Sequence, residues 1–306
     1  MASRDARTVP TFLVIGDTKA GSTSLHSYLG QHPDVFVPPE KELRYFAYDP
    51  ENAYHRRAAS TRVRTFDEYL SCFDGASGAA AIGEVSPNYL RSPGAAARIR
   101  SRLPNVKLIV SLRNPADRLY SLHSMHLRMR RTKMPFDQRA FADDAAWIKG
   151  NFHWPDLYRY FALFDRSRIE VILFEDLATN PVDVTRSLYR FLGVDDGFAP
   201  AVRVHNKGGV PRHRLLYSTI TELKRGAERV VHPSERARAV WRRLRRRMLY
   251  RPPLDPTLRR QILEVCRDDI ARTEVLIGRS LRCWLDDDVT EPHASTASAP
   301  RSDARR

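Results

Sequence analysis

The stretch "TFLVIGDTKAGSTSL" at residues 11–25 constrains the fold more than any other part of the chain. A short apolar run ends at Gly16, and a polar turn follows that contains Gly21. Leu25, Tyr28 and Leu29 then recur at helical spacing until Pro33 closes the segment. Strand, glycine turn and helix form the first half of a βα unit, and the turn is a natural anion site. The first backbone N–H groups of a helix lack intrahelical partners, and the helix dipole favours negative charge there. The glycines have the spacing of the triphosphate loop G-x-x-x-x-G-K-[ST], but the position after the second glycine is Ser22. The loop's lysine is Lys19, set back towards the strand, and Ser22, Thr23 and Ser24 add hydroxyls at the helix start.

The same alternation continues along the chain. "VFV" (35–37), "AAAIGEVS" (79–86), "VKLIVSLR" (106–113) and "IEVILFEDL" (169–177) read as further buried strands. Helices are expected near 93–102, from Pro115 onward, over 156–164 and across "VTRSLYRFLGV". The fold class is α/β: a P-loop-like central parallel sheet flanked by helices, with a basic helical C-terminal part over 212–285. Residues 1–9 are expected to be a flexible N-terminus, 10–285 a single domain, and the Ser/Ala/Asp/Pro-rich 286–306 a disordered tail.

Charge narrows the partners. There are 51 basic and 36 acidic residues, a net charge of +15, and only seven of the basic residues are lysine. Such a balance favours anionic ligands. The cysteines, Cys72, Cys266 and Cys283, are odd in number and widely spaced, which points to a reducing compartment rather than to disulfides or zinc. With no apolar leader and no long apolar run, a soluble cytoplasmic protein is expected.

Two further motifs bear on the anion. In "LIVSLRNPADRLYSLHS", Arg113 stands at the end of a strand and Ser121 lies two turns into the following helix. A planar guanidinium and a hydroxyl suit a phosphate, and the carboxyl ends of parallel strands are where α/β sheets bind ligands. In "HNKGGVPR" (205–212), Lys207 is followed by Gly208 and Gly209, a charge beside two unobstructed backbone N–H groups.

Taken in order, "TKAGSTSL", "SLRNPADRLYSLHS" and "NKGG" resemble the motifs of the sulfotransferases that use 3′-phosphoadenosine 5′-phosphosulfate (PAPS). "HPDV", "KELRYF" (41–46), "GEVSPNYL" (83–90) and "RFLGV" are similar to the glycan, heparan-sulfate-type branch and its bacterial relatives. The resemblance runs from about residue 10 to Leu285. It implies sulfuryl transfer from PAPS to a hydroxyl or amine of a sugar, glycolipid or secondary metabolite, with 3′-phosphoadenosine 5′-phosphate (PAP) as product and no metal. It also implies that Lys19 meets the bridging oxygen of the donor. Ala20, Gly21, Ser22, Thr23 and Ser24 would hold the 5′-phosphate, Arg113 and Ser121 the 3′-phosphate, and Lys207, Gly208 and Gly209 would cover the cofactor. Glu42 takes the place of the base, with His153 as the alternative; His123 and His126 are read as packing or surface histidines. Two positions depart from the branch: Val85 stands where a lysine is usual, and Arg44 where a histidine is.

The run 236–247 carries seven arginines, with Val240, Trp241, Leu244 and Met248 forming an apolar stripe. It reads as a solvated helix, or else as a dock for an anionic acceptor or membrane surface; nucleic acid is not expected. Two other functions stay open on the sequence: a P-loop phosphotransferase, and an inactive polyanion-binding protein.

Overall fold

The computed structural model describes residues 8–48, 63–202, 209–212, 217, 219–223, 240–241, 248–250 and 252–285. In chain order its elements are β1 (Phe12–Val14), α1 (Ser22–Leu29), β2 (Val35–Phe36), α2 (Phe66–Ser71), β3 (Ala81–Val85) and α3 (Ala95–Arg102). Next come β4 (Lys107–Leu112), α4 (Pro115–Arg128), α5 (Phe136–Lys149), α6 (Trp154–Phe161), β5 (Ile169–Leu173), α7 (Phe174–Thr179) and α8 (Pro181–Leu192). A hairpin of β6 (Val210–Pro211) and β7 (Leu249–Tyr250) and the helices α9 (Pro256–Val265) and α10 (Arg267–Ile277) complete the set.

The first five strands form one sheet in the order β2-β3-β1-β4-β5, with every pairing parallel. Its strands are mostly apolar because both faces are covered. Leu13, Ile15, Leu108 and Val110 enter one core layer, and Phe12, Val14 and Ile109 enter the opposite one. Leu25 and Leu29 of α1 and Leu188 of α8 close the second layer, where the Tyr189 hydroxyl donates to the Tyr28 carbonyl at 2.9 Å. The strand order decides where a ligand goes. The connection leaving β1 runs to one side of the sheet and the one leaving β4 to the other, so a crevice opens outside their carboxyl ends. Gly16 makes their close approach possible: a Cβ there would lie 2.2 Å from the Ser111 backbone nitrogen.

The expected parallel sheet with flanking helices is present, with local corrections. The run 169–177 is a strand only to Leu173, and Phe174 opens α7. Its acidic residues explain the break: Glu175 turns inward to accept from the Asn114 backbone N–H at 2.9 Å and Trp284 Nε1 at 3.2 Å. Leu249–Tyr250, inside the stretch expected to be helical, pairs antiparallel with Val210–Pro211. Helix α2, with a capping box between Thr65 and Glu68, and helix α5 were not anticipated. Of the arginine-rich run 236–247, only Val240 and Trp241, both helical, fall among the described residues.

Candidate active site

The loop between β1 and α1 is fixed by backbone contacts on both sides. The Asp17 N–H donates to the Ser111 carbonyl at 2.7 Å, and the Ala20 N–H to the Asp17 carbonyl at 3.3 Å. Lys19 (φ 74°) and Gly21 (φ 87°) are both left-handed, and Ala20 between them is fully buried. Gly21 is also the residue before α1, whose first turn has no side-chain cap and no acidic residue. That end of the helix is therefore electropositive and open to an anion.

Arg113 meets this loop directly. It is 4% exposed, its Nη1 donates to the Lys19 carbonyl at 3.0 Å, and its guanidinium lies 4.3 Å from the Phe174 ring centre. Ser121 is half-buried on α4, the helix that follows the Arg113 strand. Lys207 and Gly208 lie outside the described residues. Gly209 packs on the hairpin, where a Cβ would lie 2.7 Å from the Tyr250 carbonyl, and its own carbonyl accepts from Arg128 Nη1 at 3.2 Å.

The segment carrying Glu42 folds over the loop. The Glu42 N–H donates to the Val85 carbonyl at 3.1 Å, and Glu42 (φ 65°) and Arg44 (φ 61°) are both left-handed. The Glu42 side chain is 30% exposed and is paired with the Arg44 guanidinium and, at 3.6 Å, with Lys41 Nζ. Its setting is thus a half-open one between two cations. Val85 is buried in the core and projects no charge into the site.

Lys41 is a site residue that the sequence did not reveal. Its Nζ donates to Ser22 Oγ at 2.9 Å and to Thr23 Oγ1 at 3.2 Å. Burial holds its pKa below the usual lysine value, with Glu42 partly opposing. Because the ammonium occupies lone pairs of both hydroxyls, their protons are left to donate elsewhere. In "PPEKEL" it looks like any solvated loop lysine.

Beneath the loop lies a buried charge network, also unforeseen. Asp17 is fully buried; Arg91 donates to its Oδ1 from Nε at 3.0 Å and Nη2 at 2.8 Å, and Arg118 Nε stands 3.5 Å from Oδ2. His153 Nε2 lies 2.7 Å from the same Oδ2, and its Nδ1 lies 3.6 Å from Asp269. Burial raises the Asp17 pKa, but Arg118, Arg91 and His153 outweigh it and hold the carboxyl far below its usual range. His153 is fully buried against Trp284 and so presents nothing to an acceptor, which removes it as the alternative base. His123 is also buried, with its pKa pushed down to about 4 by burial and Arg139, and His126 accepts from Arg139 at 2.9 Å.

The network gives stability a pH dependence. Burial disfavours the His153 cation, but Asp17 and Asp269 overcome this and raise its pKa above 6.5. Its contribution is therefore complete below the unfolded value and is lost as pH rises through the folded one. Melting temperature is expected to fall as pH rises above the ordinary histidine value and through the raised folded-state one, and His153→Asn to flatten that slope. Parallel slopes in the two proteins would remove His153 from the titration.

Residues 10–199 match the sequence model described as the Sulfotransferase family. A crystal structure of a sulfotransferase from Alicyclobacillus acidocaldarius is 28% identical, with a TM-score of 0.68 over 90% of this chain and 99% of that one. A membrane-associated sulfotransferase of Dictyostelium discoideum is 34% identical over 128 residues, 42% of this chain and 25% of that protein. Bifunctional heparan sulfate N-deacetylase/N-sulfotransferase 4 of Mus musculus is 29% identical over 216 residues, 61% of this chain and 22% of that protein. The chain thus spans about a quarter of the length of these curated relatives. The matched region takes in the glycine loop, Lys41, Glu42, Arg113 and Ser121, and on these grounds the chain belongs to the sulfotransferase family.

Proposed function

We propose that this protein moves a sulfuryl group from PAPS to a hydroxyl or amine of a glycan or small-molecule acceptor. The observation that carries the reading is the convergence of Lys19, Lys41, the Ser22 and Thr23 hydroxyls and Arg113 on one loop at the open end of α1. A ligand with separate 5′ and 3′ anionic groups suits that donor set. PAPS supplies the sulfuryl group when bound.

The chain's own residues then have distinct tasks. Ala20 to Ser24 and the helix end receive the 5′-phosphate, and Lys19 neutralises charge that grows on the oxygen departing from sulfur. Arg113, with Ser121, receives the 3′-phosphate, and Lys207, Gly208 and Gly209 close over the nucleotide. Lys41 stands between the loop hydroxyls and Glu42, where it balances negative charge on the group in transfer. Glu42 takes the acceptor proton. The reading calls on no metal ion. It treats 10–285 as one domain and the cytoplasm as its location, which the free state of all three cysteines supports.

Calorimetry with PAP and ATP in EDTA tests this reading. PAP is expected to bind, and to bind more tightly than ATP. Label from sulfur-labelled PAPS is expected on at least one of N-desulfated heparin oligosaccharide, glucosylceramide and p-nitrophenol. ATP binding that needs Mg²⁺ and exceeds that of PAP would show a phosphotransferase instead.

A further inference from the structure

Two backbone N–H groups of the segment, those of Glu42 and Arg44, are held by the end of β3 and the residue after it. Glu42 donates to the Val85 carbonyl at 3.1 Å, and Arg44 donates to Ser86 Oγ at 3.3 Å. Ser86 Oγ passes its single proton to Glu84 Oε2 at 2.6 Å, so it is free to accept from Arg44. Tyr89 fills the other carboxylate oxygen at 2.6 Å. Glu84 is 1% exposed on an otherwise apolar strand, where an ionisable group is costly without a task.

We infer that Glu84 is a positioning residue: its carboxylate fixes the Ser86 hydroxyl that holds the Arg44 N–H, and so it aims the Glu42 side chain of the same segment. This rests on the reading of Glu42 as the base. The arrangement has a physical job. Glu42 and Arg44 are non-glycine residues in the left-handed region, and such backbone persists only when its surroundings enforce it. The two hydroxyls that donate to it, Ser86 on Oε2 and Tyr89 on Oε1, demand an acceptor at both oxygens. Glutamine offers one acceptor oxygen and turns an NH₂ against the other donor, so the isosteric variant breaks the arrangement without changing its volume.

Hydrogen exchange read by mass spectrometry tests this without any acceptor. In Glu84→Gln, amides of the peptide 41–46 are expected to exchange at least tenfold faster, while those of 16–24 keep their rates and PAP affinity stays within twofold. Ser86→Ala removes the Arg44 link itself and is expected to give a comparable acceleration confined to the same peptide. With whichever of the three panel acceptors carries label, Glu84→Gln is expected to lower kcat by about 10²-fold with little change in KM, the effect of a misaimed group. Unchanged exchange in 41–46 overturns the inference, as does equal acceleration in 41–46 and 16–24, which would show general loosening. Failure of the base reading is distinguishable: Glu42→Gln would then retain turnover whatever Glu84→Gln does to exchange.

Discussion

Glu42→Gln is expected to lower turnover by roughly 10²–10⁴-fold, the range for a positioned base, and to leave PAP affinity unchanged. Glutamine keeps the shape of the side chain and one acceptor for Arg44, but it cannot take a proton. Lys19→Ala is expected to fail differently. Its ammonium meets charge that develops only as the bond to sulfur breaks, so kcat falls strongly and PAP affinity only in part. Steady-state rates beside PAP calorimetry separate the two patterns. If Glu42→Gln turned over at the wild-type rate, the proton would have another destination. His153 would not supply it, since that ring is sealed beneath the loop between Asp17 and Asp269.

The second large effect is on stability. Asp17→Ala is expected to cost about 3–5 kcal/mol in urea unfolding, because it leaves buried cations without their counter-charge. Arg118 is fully exposed to this loss: none of its surface reaches solvent, and its pKa is already pulled down to about 10 by burial, with Asp17 the main opposing influence. Arg91 keeps Asp156 at 2.8 Å, so it suffers less. PAP affinity should drop as well, since Asp17 belongs to the loop itself. A loss below about 1 kcal/mol would show that the cations are solvated rather than sealed.

Much of this architecture could be read before any coordinates. Strands buried on both faces are written as unbroken apolar runs, so β1, β3 and β4 were found within a residue or two. The glycine loop and Arg113 stood out because local spacing carries their chemistry. What escaped is long-range. Asp17 meets Arg91, Arg118 and His153, and His153 meets Asp269, only after the chain has folded, and no period in the sequence relates them. Lys41 and Glu84 were hidden differently. One looks like a surface charge and the other like an interruption in a strand, and only contacts show that each has an assigned partner. The β6–β7 hairpin was missed because its two strands hold two residues each, too few to display alternation. The region that set the expected roles of Lys207 and Gly208 lies outside the described residues.

The peptide unit between Lys19 and Ala20 is gripped at both ends. Its carbonyl is bound by Arg113, the residue after β4, and its N–H by the Asp17 carbonyl. A plane held from opposite sides resists flipping, so this part of the cradle takes its shape from contacts made in folding. The ordering entropy is met once, during folding, and is not charged again to each binding event. A seat fixed in this way selects by fit: the two bonds that shape the loop during folding also set the outline that an incoming anion has to match.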